Sequence, residues 1–313
     1  SDPAAAGLVT VTMQGKGLSS GTTSIASLDL KGTVKDPLNT ATTDATLTVG
    51  GMKGAGDINR VTATANGNRQ GLVVALQATG SRTDASMRGK VEPDGNDILV
   101  SLSRFEGRHS GIPVALTAPT RLRIAGSRIS LDPTNFRLGG GRLSARGTID
   151  PIASDLQLEL SALPLSLIDT VAPGTNLDGT AQAKIQVRGA MATPQVDATY
   201  SVTGARFRRP DAALIPALSV QVSGAVSGNQ ASVDARLRAG GATNLTLKGK
   251  ATIPSGAGPL SGSAAVTGTI DVAPFASLLG NDLRNITGTL RPNLTLDLSG
   301  SRISGSGGID FTN

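Results

Sequence analysis

The chain has no cysteine and no tryptophan, and it has few aromatic residues of any kind: one tyrosine and five phenylalanines among 313 residues. The absence of cysteine excludes a disulfide scaffold and thiolate metal ligands. The single histidine, His109, excludes multi-histidine metal sites and argues against a histidine-based triad. We therefore predict no enzymatic activity, no metal and no cofactor.

Long hydrophobic runs are missing as well. The longest unbroken apolar stretches are a few residues, as at Ile98-Leu99-Val100, whereas a membrane-spanning helix needs roughly 20. Ser1-Asp2-Pro3 and the alanines after it have neither the basic start nor the apolar core of a signal peptide. We expect the chain to be a segment of a larger protein or a mature secreted domain.

The charge balance is basic, with a net charge of +6 and an isoelectric point near 10.1. The basic residues occupy the polar positions of alternating runs, as in Arg121-Leu122-Arg123-Ile124. Proteins that bind single-stranded nucleic acid combine such charge with stacking aromatics, which are nearly absent here. We predict no nucleic-acid partner. The densest cluster, Arg206-Phe207-Arg208-Arg209, fits a solvated loop best, and contact with lipid headgroups is the alternative.

What the chain does have is a two-residue alternation of apolar and polar side chains, which predicts strands with one apolar face. Residues 217–253 show it most clearly: three alternating runs are separated by the turns Ser227-Gly228-Asn229-Gln230 and Gly240-Gly241-Ala242-Thr243. Turns this short join antiparallel neighbours. We predict an antiparallel meander here, and the same alternation recurs along the chain, for example at Val9, Val11 and Met13.

Helix signals are scarce, and two of them are alike. Residues 163–169 and 273–280 each place proline near a helix start, followed by apolar residues at short spacing. Each is followed by a Gly-Thr pair that opens a strand, at Gly179-Thr180 and Gly288-Thr289, which indicates an internal repeat whose two copies lie about 110 residues apart. We predict one or two short helices that cap or plug the apolar face.

The number of strands predicts the overall fold. At about 12 residues per strand and turn, the chain would form roughly 25 strands. Open sheets rarely exceed about 10 strands without curling or splitting, so the apolar face must be hidden. Few aromatics are available to fill a sandwich core, and a trough lined by Ala, Val, Leu and Ile would leave room for a hydrocarbon chain. An ordinary packed core is the alternative.

Several motifs resemble those of the TamB family within the wider AsmA-like, bridge-like lipid transfer group. These proteins are inner-membrane-anchored subunits of the bacterial translocation and assembly module. The motifs are Leu163-Pro164-Leu165, Leu177-Asp178-Gly179-Thr180, Arg188-Gly189, Thr193-Pro194-Gln195-Val196, Gly139-Gly140-Gly141-Arg142-Leu143, and the closing residues 307–313. The resemblance is good over residues 112–313, and the second repeat lacks a Thr-Pro-Gln-Val counterpart.

The resemblance implies an all-β fold: a long, mostly antiparallel meander curled lengthwise into a U-shaped groove, called a β-taco. It implies a periplasmic protein whose groove carries phospholipid acyl chains between the inner and outer membranes, with a link to outer-membrane protein assembly. The membrane anchor and the contact with a TamA-like outer-membrane partner would lie outside this segment. We expect one continuous sheet over 1–313, with N-terminal strands at 1–161, a first repeat at 162–271 and a shortened second repeat at 272–313.

We expect the apolar positions of the alternating runs to line the groove. They are Leu156, Leu158, Leu160, Ile185, Val187, Val196, Leu218, Val220, Val222, Val233, Leu237, Leu245, Leu247, Leu294, Leu296 and Leu298. Two other functions remain open. One is a structural β-solenoid or stalk with a self-filled interior, and the other is a scaffold that pairs with strands of outer-membrane proteins at its edges.

Overall fold

A computed structural model describes residues 7–20, 23–37, 40–53, 58–170, 172, 174–209, 212, 215–254, 258–278 and 286–312. Within them the protein is all-β, a 20-stranded antiparallel sheet with two short 3-10 helices, which confirms the predicted fold class. The chain divides into two compact units. The first comprises residues 1–139 and 144–148, and the second comprises 140–143 and 149–313.

The first unit contains ten complete strands. They are β1 (Leu8–Ser20), β2 (Thr23–Lys35), β3 (Thr42–Lys53), β4 (Ile58–Asn68), β5 (Gly71–Gly80), β6 (Thr83–Asp94), β7 (Asp97–His109), β8 (Ile112–Leu116), β9 (Thr120–Ala125) and β10 (Arg128–Leu138). Strands β1 to β7 pair in sequence order. The residues of β11 (Gly141–Ile149) are divided between the two units.

Strands β8 and β9 act as one interrupted strand of the first unit. Both pair with β7, β8 at its C-terminal half and β9 at its N-terminal half, and both pair with β10. The interruption falls at residues 117–119 and ends at Pro119, which has no N–H to donate to a strand neighbour.

The second unit is an uninterrupted meander. Its strands are β12 (Ser154–Pro164), β13 (Leu177–Gly189), β14 (Gln195–Phe207), β15 (Leu218–Ser227), β16 (Gln230–Ala239), β17 (Thr243–Thr252), β18 (Ser261–Asp271), β19 (Thr289–Ser299) and β20 (Arg302–Thr312). Each strand from β12 to β19 pairs antiparallel with the next. The meander predicted for residues 217–253 is β15, β16 and β17.

The strands are longer than the sequence pattern indicated. Seventeen of the twenty span 10 to 13 residues, so the described chain forms 20 strands rather than roughly 25. The estimate was too high because it allowed about 12 residues for a strand together with its turn, whereas most strands alone are nearly that long. Glycine also lies inside strands without ending them: Gly51 lies inside β3 at a φ of 64°, where a Cβ would come within 2.5 Å of the Ala26 side chain.

Both predicted helices are present as short 3-10 helices, at Leu165–Thr170 and Ala273–Leu278. Gly280, the predicted stop of the second helix, lies outside the described residues. Among those described, no helix has the length and hydropathy needed to cross a membrane.

Candidate functional site: an apolar face with two different rims

The sheet of the second unit has one apolar face, and the strand register shows how it is built. Residues directly opposite each other on antiparallel strands point to the same side. The central row across the strands is Leu158, Ile185, Ala198, Gly224, Val233, Gly249, Ala264, Leu296 and Gly305. Parallel rows on either side run through Val187, Val196 and Val226, and through Val222, Ala235 and Leu247.

All sixteen residues expected to line a groove fall on this one face. All sixteen are half-buried, neither enclosed in a core nor freely exposed. The sequence prediction missed the contribution of β18, whose Ala264 and Val266 continue the rows between β17 and β19. The run containing them is rich in Ser, Gly and Thr, so its apolar alternation is weak. Their role in lipid binding stays a prediction.

The side chains of the central row project less far from the sheet than those of the neighbouring rows, because most members of the row between β14 and β18 are alanine or glycine. A Cβ placed on Gly249 would come within 3.1 Å of Val233 Cγ1 and 3.2 Å of Ala264 Cβ. An apolar cavity of 300 Å³ lies over this row and the row next to it, between β16 and β20. That volume is at the lower end of the range typical of small-molecule sites.

The opposite face of the second unit is polar, and it is also locally concave. Two shallow depressions of 520 and 560 Å³ lie there, with Thr199, Ser223 and Asp234 at the border of both. A twisted sheet is saddle-shaped, so both faces can carry a hollow. Ion pairs on this face join Arg188 to Asp197 at 2.7 Å and Arg236 to Asp234 at 3.6 Å. Such exposed pairs contribute about 0–1 kcal/mol each.

One long edge of the second unit, here called the lid rim, is where β12, β14, β16 and β18 end and β13, β15, β17 and β19 begin. Three connections there carry buried residues: Leu165 in the first 3-10 helix, Ala212 and Ile215 between β14 and β15, and Ala276 in the second helix. Leu165 is 4% exposed and packs with Ala181, Val202 and Ala205 of the apolar face. The prediction that a short helix caps the apolar face is therefore confirmed for the first helix.

The basic cluster at residues 206–209 helps to hold this rim. Arg208 Nη2 contacts Asp169 Oδ2 at 3.2 Å, and its Nε contacts Asp178 Oδ1 at 3.2 Å. The Asn176 backbone N–H donates to Asp169 Oδ1 at 2.6 Å. Arg208 therefore fastens the connection between β12 and β13 to the sheet.

The other long edge, here called the turn rim, differs. Its connections are Gly189 to Gln195, Ser227 to Gln230, Thr252 to Ser261 and Ser299 to Arg302, together with the start of β12. Large apolar side chains are exposed along it: Ile152 at 82%, Met191 at 52%, Leu260 at 40% and Ile253 at 38%. All nine buried apolar residues among the described part of the second unit lie towards the lid rim instead.

The first unit repeats the apolar face. Met13, Leu30, Leu47, Ala63, Leu76, Met87 and Phe105 form one row across β1 to β7. Phe105 meets Phe136 edge to face, with ring centroids 5.9 Å apart. Two of the chain's few aromatics thus lie together on this face.

The surroundings of His109 are structural contacts. Its Nδ1 lies 2.7 Å from Thr83 Oγ1, its direct partner across β6 and β7. Glu106 accepts a hydrogen bond from Arg104 Nη2 at 2.7 Å, and the Ser110 backbone N–H donates to the Arg82 carbonyl. Among the described residues, no three acidic or histidine side chains are grouped so that they could hold a metal ion.

Comparison with known proteins identifies the family of the chain. A family model described as TamB, N-terminal domain, matches residues 2–301. No curated protein and no solved structure gave a match. The matched family is not known for catalysis, and its match extends across both units and includes the apolar face, the lid rim and the turn rim. The chain therefore belongs to the TamB family.

Proposed function

We propose that the chain is a periplasmic segment of a membrane-bridging protein, and that its apolar face carries phospholipid acyl chains between the inner and outer membranes. Membership in the TamB family supports a position in the periplasm, within a protein anchored in the inner membrane. A TamA-like outer-membrane partner would be engaged through segments outside these 313 residues. A role in outer-membrane protein assembly accompanies transport in this proposal.

The continuity of the half-buried apolar face is the observation that carries the proposal. A packed core would enclose its large side chains, yet none of the described side chains has less than 2% of its surface exposed. Each CH₂ group of an acyl chain removed from water contributes about 0.8 kcal/mol, so even partial cover of one chain is substantial. The face is lined almost entirely by aliphatic side chains, so a chain can slide along it.

Two other functions compete with lipid transport. A self-filled β-solenoid has parallel coils, whereas all the strand pairings described here are antiparallel. A scaffold for outer-membrane protein strands would bind at the sheet edges by backbone hydrogen bonds, leaving the apolar face empty. The experiment below separates this scaffold from a lipid conduit.

Tyr200, the only tyrosine of a chain without tryptophan, is a natural probe of the apolar face. It lies opposite Ala183 and Val222 on that face and is 40% exposed. We expect phospholipids brominated on the acyl chain to quench Tyr200 fluorescence, because bromine atoms would lie next to the ring. Phospholipids brominated on the headgroup should quench it far less.

The control moves the tyrosine by one residue. In the double variant Tyr200→Val, Ser201→Tyr, the new tyrosine lies on the polar face, opposite Gln182 and Gln221. Acyl-chain quenching should then disappear while circular dichroism stays that of the parent chain. Equal quenching on both faces, or none on either, would contradict the lipid conduit.

A further inference from the structure

We propose that acyl chains enter and leave the apolar face of the second unit sideways, across the turn rim, while the lid rim stays closed. This inference rests on the proposed function. It assigns a direction of loading to that face and gives the exposed residues Ile152, Met191, Ile253 and Leu260 a role as a portal.

Buried apolar residues and ion pairs hold the lid rim closed. Leu165, Ile215 and Ala276 are buried there, and the Arg208 contacts with Asp169 and Asp178 hold the first 3-10 helix against the sheet. Opening this rim would expose buried apolar surface and separate hydrogen-bonded charges at the same time.

The turn rim differs in what it buries: none of the buried apolar residues among the described part of the second unit lies there, whereas the lid rim combines buried residues with exposed ones such as Ile168 and Phe207. Ile253 and Leu260 stand at either end of the connection between β17 and β18, each more than a third exposed. Exposed apolar side chains grouped along one edge typically mark a contact with an apolar ligand, a membrane or a protein. An acyl chain is the occupant that the adjoining cavity favours.

The cavity connects this rim to the central row. Its lining includes Ala231, Ala251, Leu298 and Ile303, which form the row nearest the turn rim, as well as Val233 and Gly249 of the central row. A hydrocarbon chain crossing the rim therefore meets apolar surface continuously. The lipid's charged headgroup can remain in water beside the rim, which avoids the cost of burying an ion.

The rate of loading tests this portal. In the double variant Ile253→Glu, Leu260→Glu, carboxylates stand in the path of the acyl chain. We expect vesicles of phosphatidylethanolamine and phosphatidylglycerol with brominated acyl chains to quench the Tyr200 fluorescence of this variant about tenfold more slowly than that of the parent chain. The final level of quenching should be unchanged, because the face itself is intact. The matched control is Ile168→Glu, Phe207→Glu, at two lid-rim residues of similar exposure, 36% and 37%, and it should load at the parent rate.

Photo-crosslinking gives an independent readout. A benzophenone side chain at Ile253 should label the acyl chains of radioactive phospholipid several times more strongly than one at Ile168. A benzophenone side chain at Val233 should label them both in the parent chain and in the double variant Ile253→Glu, Leu260→Glu. Equal labelling at the two rims, or an unchanged loading rate in the turn-rim variant, would overturn the portal. If Val233 is labelled, the conduit survives that result; if Val233 is unlabelled, the conduit itself fails.

Discussion

At the scale of single residues, the strands carry polar side-chain contacts that are exposed to solvent. The pair Arg104 and Glu106 shows this: both are exposed on β7, and a side-chain hydrogen bond joins them at 2.7 Å. The bond to Arg104 lowers the pKa of the Glu106 carboxyl, and the pairing raises the pKa of Arg104. Such contacts change the pKa values of side chains on the polar face and do not involve the apolar face.

We predict that the pKa of Glu106 lies below its ordinary value and rises towards it in Arg104→Gln, as measured by carbon-13 NMR of the carboxyl carbon during titration. Because the folded-state pKa is depressed, the contribution of this carboxyl to stability is present above the unfolded-state pKa. It is lost as the pH falls through the folded-state pKa. Arg121→Gln, which removes a cation from β9, should leave the titration unchanged. A Glu106 pKa that is the same with and without Arg104 would refute the assignment.

At the scale of elements, the connections between strands, and not the strands themselves, distinguish the two rims of the second unit. The strands repeat one pattern, but only the lid-rim connections bury side chains against the apolar face. The first 3-10 helix contributes Leu165 to a cluster with Ala181, Val202 and Ala205, and Leu163 and Leu177 pack around it. The helix is too short to be stable alone, so packing holds it in place.

We expect Leu165→Ala to lower the free energy of unfolding by about 2–4 kcal/mol, because it leaves a cavity at a site only 4% exposed. Urea unfolding followed by circular dichroism measures this. Ile168→Ala lies in the same helix at 36% exposure and should change the stability by about 0.5 kcal/mol or less. Similar losses in the two variants would show that the helix is not anchored through Leu165.

At the scale of the whole molecule, the chain exposes much more surface than a compact protein of its mass. Its accessible surface is 19295 Å² at 31.4 kDa, against roughly 12,000 Å² for a typical folded monomer of that mass. Less apolar area is therefore removed from water than in a globular domain. A bound acyl chain would cover part of what remains exposed.

We predict that the chain, purified from cells under mild conditions, carries phospholipid detectable by native mass spectrometry. Val233→Asp should lose most of this lipid, because the carboxylate stands in the central row where an acyl chain would run. Ser232→Asp places the same charge one residue earlier on the polar face, beside Lys250, and should retain the lipid. A folded Val233→Asp variant that retains as much lipid as the parent chain would argue against transport along this face.

The sequence by itself determined the all-β class, the antiparallel meander and the identity of the apolar face. Alternation has a period of two, so the sixteen residues predicted to line the groove could be assigned to one side of their strands from the residues alone. The two short helices were also readable, because proline followed by apolar residues interrupts the alternation. The contribution of β18 was not readable, since its Ala264 and Val266 lie among Ser, Gly and Thr.

Only the tertiary structure decided how the rows align and how the two rims differ. The small residues of the central row line up because five neighbouring strands, β14 to β18, meet in one register, and no single strand encodes that row. The burial of Leu165 and the exposure of Ile253 depend on which connections fold over the sheet, which is set by packing between residues distant in sequence. A local pattern can assign a side chain to a face, but whether that face is covered depends on contacts that form only when the strands assemble.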